Sequence, residues 1–305
     1  MMDIASRSVR ATTVAGAVLL ATISGSALAQ PADITIGQGV HPESIASTPD
    51  GGLLIGSVAM PVVYRVQPGA TTAEPWITEG LDATVLGVFA AGDTAYVCSN
   101  GAFGSGMATL KTFDLATAAP TGAYPFPGGG FCNDIAVGPD GTVYVSDTVM
   151  GGGAPGRLLR LAGDQLEVAL ADEGIAGIDG LAFLGDTLYG NNVSTGELFR
   201  INLGEDPVTY TILTLSEPLM GPDGMRATEA GDAILLADNG QRRLVRVTID
   251  GDNATIDEVQ GDFTQPTGVA QIGDTAYVVE ARFDTLFGGG EDTETSVAHA
   301  VALGQ

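Results

Sequence analysis

The chain has 305 residues, with 37 acidic and 12 basic side chains, and its formal net charge of −25 repels polyphosphate backbones and excludes nucleic acid as a partner. That length can bury a large core, and the acidity reads as solubility in a salty habitat rather than as the mark of a charged partner. Helix periodicity is almost absent, which leaves an all-β chain.

The first 29 residues are expected to be a cleavable signal peptide. Arg7 and Arg10 precede an Ala-rich apolar stretch from Ala11 to about Leu28, and Ala27-Leu28-Ala29 before Gln30 has the small-x-small form of a signal-peptidase site. The competing reading, an uncleaved anchor, needs about 20 largely apolar residues, whereas this stretch is short and broken by Thr, Ser and Gly. The expectation is therefore a secreted or periplasmic protein of about 276 residues with no stable membrane insertion. Loss of Asp3, Arg7 and Arg10 would move its charge from −25 to −26.

From residue 30 to 305 one program repeats six times: an apolar anchor, a tight Gly/Asp turn, then a β-rich run. The anchors are Ile45, Val88, Ile135, Leu181, Met225 and Val269, spaced by 43, 47, 46, 44 and 44 residues, the range of one four-stranded propeller blade. The turns include Pro49-Asp50-Gly51, Pro139-Asp140-Gly141 and Gly231-Asp232. Blade three shows the strands most plainly, as Asp134 to Val137, Thr142 to Val145, Arg157 to Leu161 and Gln165 to Ala169. Blade six lacks a fourth strand, and Ile34-Thr35-Ile36 could supply it and latch the ring shut. The fold expected is a single-domain, six-bladed β-propeller with four-stranded blades.

Register then decides what faces the channel. Two positions before each anchor stand Glu43, Leu86, Asn133, Asp179, Asp223 and Thr267, four of them oxygen-donor side chains. Pro222-Asp223-Gly224 precedes its anchor, and its blade already has a turn at Gly231-Asp232, so Asp223 starts an innermost strand rather than making a turn. Several carboxylates and one amide suit a hard divalent cation, Ca²⁺ first, with Mg²⁺ or Mn²⁺ as weaker options. A hydrated polar channel without an ion is the alternative. Without a cation, three neighbouring carboxylates would raise one another's pKa values.

The connections between second and third strands share a face with the ring residues. The Gly-rich segments 101 to 106, 128 to 130, 151 to 156 and 288 to 290 fall there, where a substrate lid would be expected. A second polar layer ends the second strands: Ser57, Ser99, Asp147, Asn192, Asp238 and Glu280. Asp147, Asn192 and Asp238 are candidate substrate contacts, and turn caps explain them nearly as well. His41 lies near the channel mouth and is a further candidate, although loop histidines are commoner than bases. Cys98 and Cys132 should lie near one face in adjacent blades, where they could pair or stay as buried thiols.

The motifs Glu43-Ser44-Ile45, Phe131-Cys132-Asn133-Asp134, Ile178-Asp179-Gly180-Leu181 and Pro222-Asp223-Gly224-Met225 resemble, in order, the inner-strand motifs of the senescence marker protein, gluconolactonase and luciferin-regenerating-enzyme family. The resemblance implies a six-bladed propeller with one divalent metal in its channel, acting on small lactones or esters. By it Glu43, Asp179 and Asp223 would hold the metal. Asn133 would stand at the metal or its bound water and the substrate, and Asp223 would serve as general base. Asp179 takes the place of a family asparagine, which makes the formal ligand charge −3 instead of −2.

No Gly-x-Ser-x-Gly elbow is present, and a histidine dyad has no second member near His41. The non-enzymatic alternative is a periplasmic propeller that binds a ligand or protein with its ion purely structural, and a monomer is expected in either case.

Overall fold

The six anchors lie in the innermost strands of six antiparallel sheets, and all of them are buried. The computed structural model describes residues 1–2, 31–149, 153–289 and 293–304, so the signal-peptide expectation for residues 1–29 falls almost wholly outside the described residues. From Pro31 onward the chain forms one unit, a six-bladed propeller. Its innermost strands are Pro42–Ser47, Thr84–Ala91, Cys132–Val137, Ile178–Leu184, Pro222–Ala227 and Pro266–Ile272. Blades one to four each run outward through four strands in chain order, as a meander with tight turns requires. Blade five adds a short fifth strand, Thr214–Leu215, parallel to its outer strand Asn253–Gln260. Blade six closes as expected: Ile34–Gln38 pairs with Thr295–Ala302, bringing Ile34 opposite Ala298. Among the described residues the one α-helix is Phe283–Gly288, and no helix is long and apolar enough to cross a membrane.

One irregularity recurs in all six blades. The register between the first and second strands slips between Pro42 and Ser44, Val85 and Val88, Cys132 and Ile135, Ile178 and Leu181, Pro222 and Met225, and Pro266 and Gly268. Each slip contains one of Glu43, Leu86, Asn133, Asp179, Asp223 and Thr267. A bulge leaves one residue unpaired and re-aims its side chain, so five of the bulges present Glu43, Leu86, Asn133, Asp179 and Asp223 to the channel, while the Thr267 hydroxyl turns to the Pro42 and Val279 carbonyls (both 3.4 Å). Neighbouring blades then meet closely at the next position. A Cβ on Gly180 would come within 2.4 Å of the Asp223 carbonyl oxygen, and one on Gly87 within 2.3 Å of that of Asn133. Blades one and three carry side chains there instead. Ser44 Oγ accepts from Val88 N (3.2 Å) and Asp134 Oδ2 from Leu181 N (2.8 Å), so each reaches into the following blade.

Cys98 and Cys132 form a disulfide, with Cα atoms 5.1 Å apart across the junction of blades two and three. Its closed loop spans a sequence separation of 34 residues, which in the chain-entropy model stabilises the fold by roughly 3–4 kcal/mol.

The closing seam in blade six has a titratable lock. His299 Nε2 lies 3.1 Å from Glu280 Oε2 and its Nδ1 3.6 Å from Asp33 Oδ2, with the Phe263 ring edge-on at 5.9 Å. The hydrogen bond to Glu280 holds His299 above its ordinary value of 6.5. Burial pushes Glu280 up, but hydrogen bonds from His299 and from the Thr264 and Gln265 backbone outweigh it and leave the carboxyl below 4.5. A raised histidine contributes stability below about pH 6.5 that fades as pH rises through its folded pKa. A lowered glutamate contributes above about pH 4.5 and fades as pH falls. The lock is therefore fullest between these limits. In thermal melts His299→Asn should lower Tm by a few degrees near pH 5.5, and the gap should shrink by pH 9.

Candidate functional site

The bulges bring Glu43, Asn133, Asp179 and Asp223 to the floor of one cavity of about 670 Å³ at the channel mouth. Gly104, Gly106 and Gly130 border it, so two of the four Gly-rich segments edge the mouth as expected; residues 151, 152 and 290 of the other two lie outside the described residues. Above the floor the wall is apolar. Val58, Leu86 and Val193 contribute aliphatic surface, and Phe103, Phe131, Phe283 and Phe287 contribute rings.

The floor is electrostatically unbalanced. Burial pushes Asp179 up to about 8, with repulsion from Asp134 adding and the Asn133 hydrogen bond opposing. Burial likewise raises Glu43 well above its usual range, reinforced by Asp179 and Asp134 and opposed by Arg226. Asp223 is raised by burial and then by Asp179 and Glu43, against hydrogen bonds from Gly224 and Asn239. Asn133 Nδ2 donates to Asp179 Oδ2 (2.7 Å) and Thr148 Oγ1 (3.0 Å), which leaves its carbonyl oxygen as the atom to offer an ion or substrate. Asn239 Nδ2 reaches Asp223 Oδ2 at 3.4 Å, and Asn191 Nδ2 donates to the Asp223 carbonyl oxygen at 2.6 Å.

Whether these residues suit a divalent cation divides into chemistry and spacing. The donor set is all oxygen, anionic and buried, and Glu43 Oε2 is buried without a hydrogen-bond partner. A cation would satisfy that oxygen and relieve the mutual repulsion. Among the described residues, however, no three His, Cys, Asp or Glu side chains stand close enough together to hold an ion as they are. The chemistry weighs more than the spacing, because without a cation these buried acids are relieved only by binding protons, and an ion would take the protons' place. The residues fit the ion once those side chains draw together.

A second constellation closes the channel beneath the floor. Arg226, next to the blade-five anchor, donates to both carboxylate oxygens of Asp134 (2.8 and 2.9 Å), to the Met225 carbonyl (2.7 Å) and to the Val88 carbonyl (3.2 Å), and lies 5.5 Å from the centre of the Phe89 ring. Asp134 also accepts from Leu181 N, so this pair joins blades two, three, four and five.

The remaining sequence-derived candidates are placed elsewhere. Asp147 accepts from Phe131 N (2.6 Å) and pairs with Arg157 (2.5 Å), Asp238 accepts from Met220 N, Gln241 and Arg243, and Asn192 caps the turn at Ser194 and Thr195. None of the three is among the side chains lining the cavity; each braces a rim loop. A second-strand residue that pairs with the start of the innermost strand, as Asp147 does with Cys132, stands one strand out from the channel. His41 is buried with a left-handed backbone (φ 46°), its Nδ1 2.8 Å from the Ala281 carbonyl oxygen. Sequence reasoning passed over Thr148, Asn191, Asn239, Asp134 and Arg226.

The chain matches the model of the SMP-30/Gluconolactonase/LRE-like region over residues 41–282. Among solved structures it is similar to a luciferin-regenerating enzyme, at 18% identity and a TM-score of 0.66, over 88% of this chain and 93% of that one. It is similar to the calcium-binding protein regucalcin from Agrobacterium tumefaciens str. C58, at 16% identity and a TM-score of 0.64, over 90% and 98%. Virginiamycin B lyase from Staphylococcus aureus follows at 16% and 0.60, over 81% and 80%. At such identities these likenesses carry the fold alone. No curated protein matches the chain in sequence.

Proposed function

The chain belongs to the SMP-30/Gluconolactonase/LRE-like family, and from that premise and the acid-floored cavity we propose that it is a metal-dependent hydrolase of a small lactone or ester. The observation that carries this reading is the convergence of Glu43, Asn133, Asp179 and Asp223 from four blades on one cavity floor, with a buried carboxylate oxygen of Glu43 left unpartnered. Glu43, Asn133, Asp179 and Asp223 would hold a divalent cation, Ca²⁺ before Mg²⁺ or Mn²⁺, and a bound cation supplies Lewis-acid polarisation of the acyl carbonyl.

The chain's own residues do the rest. Asp223 takes a proton from the attacking water, and the hydrogen bonds from Gly224 N (3.0 Å) and Asn239 hold its carboxylate in place. Asn133 is held by its donations to Thr148 and Asp179, which keep its amide oxygen turned to the floor to accept from the attacking water or a substrate hydroxyl or to meet the ion. The wall keeps bulk water off the floor. Export to an oxidising compartment is part of the same proposal, and the Cys98–Cys132 disulfide supports it.

The test is an assay of purified protein against lactones, aryl esters and phosphotriesters after chelation and after add-back of each metal. Turnover of a lactone or ester should vanish on chelation and return with Ca²⁺. Metal removal that lowers only the melting temperature, with no substrate turned over, would replace the hydrolase by a binding scaffold with a structural ion.

A further inference from the structure

The wall of the cavity says what kind of molecule enters it. Phe103 stands 5.8 Å from Phe131 and 5.1 Å from Phe287, and Phe287 is stacked 5.9 Å from Phe283, so four rings form one continuous surface. They come from three separate segments: the blade-two Gly-rich loop, the residue before Cys132, and the short helix Phe283–Gly288, in which Phe283 and Phe287 sit four apart on one face. Leu86 extends the apolar surface down to the level of the floor, where it occupies a ring position that four other blades give to a carboxylate or amide. Among the described residues, the polar side chains lining this cavity are those of the four floor residues.

That division leaves hydroxyl groups without partners. A polyhydroxylated ring placed with its acyl carbon at the floor would press several hydroxyls against phenylalanine and leucine, each losing its water with nothing in exchange. A hydrocarbon chain or aromatic ring gains from the same surface. We propose that the site takes lactones or esters whose body beyond the acyl carbon is unhydroxylated alkyl or aryl, and that it discriminates against sugar lactones. The proposal rests on the hydrolase reading only for the bond broken: water adds across the acyl C–O bond, its hydroxyl going to the acyl carbon and its proton to the leaving oxygen, and a lactone yields one hydroxy acid.

Rates on γ-butyrolactone, γ-octalactone, dihydrocoumarin and D-glucono-δ-lactone with saturating Ca²⁺ test it. At about fourfold per buried methylene, kcat/KM should rise on the order of 10²-fold from γ-butyrolactone to γ-octalactone, with dihydrocoumarin also far above gluconolactone. Phe103 and Phe287 are both exposed at their outer faces, so the double variant Phe103→Ser, Phe287→Ser should fold and should cut the octalactone-to-butyrolactone ratio about tenfold. Calorimetric binding of pyrrolidin-2-one and 5-butylpyrrolidin-2-one, which are not hydrolysed, separates the two readings. A chain-length preference in lactam binding without any lactone turnover overturns the hydrolase and keeps the apolar ligand class. Gluconolactone turned over as well as γ-octalactone overturns the apolar proposal and leaves the hydrolase standing, and lactams bound without chain-length preference overturn the apolar proposal whatever the turnover.

Discussion

Asp223→Asn should lower turnover of the best substrate by 10²-fold or more while leaving the protein folded and part of its metal bound. The substitution keeps size, shape and an oxygen donor but removes the group that accepts the proton, and general-base loss usually costs 10²- to 10⁴-fold. Stability should move the other way. In chelator, Asp179 and its two neighbours bind protons more tightly in the folded chain than in the unfolded one, so the wild type loses stability as pH rises from about 4 through about 8. One carboxylate fewer weakens that loss, and the Tm of chelated Asp223→Asn at pH 8 should exceed that of wild type. Asp179→Asn is the contrasting control. It returns the ligand set to a formal charge of −2, so metal affinity should fall while activity at saturating metal survives or rises. A wild-type rate in Asp223→Asn would show that its carboxylate is not the base.

Arg226→Met should be the most destabilising single change in the channel, by about 3–5 kcal/mol, a drop in Tm on the order of 10 °C. Asp134 is buried and lies near Glu43 and Asp179, on both of which it acts electrostatically. Removing the guanidinium leaves that carboxylate uncompensated and frees the Val88 and Met225 carbonyls. Combining Arg226→Met with Asp134→Asn should recover a large part of the loss, because a neutral pair needs no counter-charge. Arg226→Lys should recover less, since one ammonium cannot reproduce the two-pronged contact. Denaturant titration of wild type, Arg226→Met, Asp134→Asn and the double variant gives the cycle directly, and additivity of the two single changes would rule out the coupling.

The ring residues were legible because a propeller repeats its register: once Met225 is aligned with Ile135 and Leu181, Asp223 can only be equivalent to Asn133 and Asp179. The alignment did not reveal the bulges, yet it found their contents, since each slip sits at a constant distance from its anchor. Reading the second strands failed by a single step. Asp147, Asn192 and Asp238 were the conspicuous polar ends, whereas the residues that touch the floor are Thr148, Asn191 and Asn239, each one position away. Asn191 lies in the strand Thr187–Asn192, where one step changes the face presented, whereas Thr148 and Asn239 lie one residue past the ends of theirs. The Arg226–Asp134 pair had no local signal at all, because its partners lie 92 residues apart and only the closed ring brings them together. The aromatic wall was hidden for the same reason: Phe131 was legible as part of a motif, but Phe283 and Phe287 belong to a loop of another blade.

Ile34 pairing with Ala298 has a consequence for how the molecule comes into being. During synthesis from the N terminus, the strand that fastens the ring has only its bridge from Thr35 to Thr72 of blade one within reach, and its blade-six partner comes after five blades and most of a sixth are made. Bringing such distant segments together costs little more than for a loop half as long, because closure entropy grows only with the logarithm of length. The delay is therefore one of sequence order rather than of free energy, and for its duration the side of Ile34–Gln38 that will face Thr295–Ala302 is an open edge able to add to another chain. The acidic floor draws on blades one, three, four and five, so the same closure that fastens the edge also brings Glu43 of the first blade to the carboxylates of the later ones.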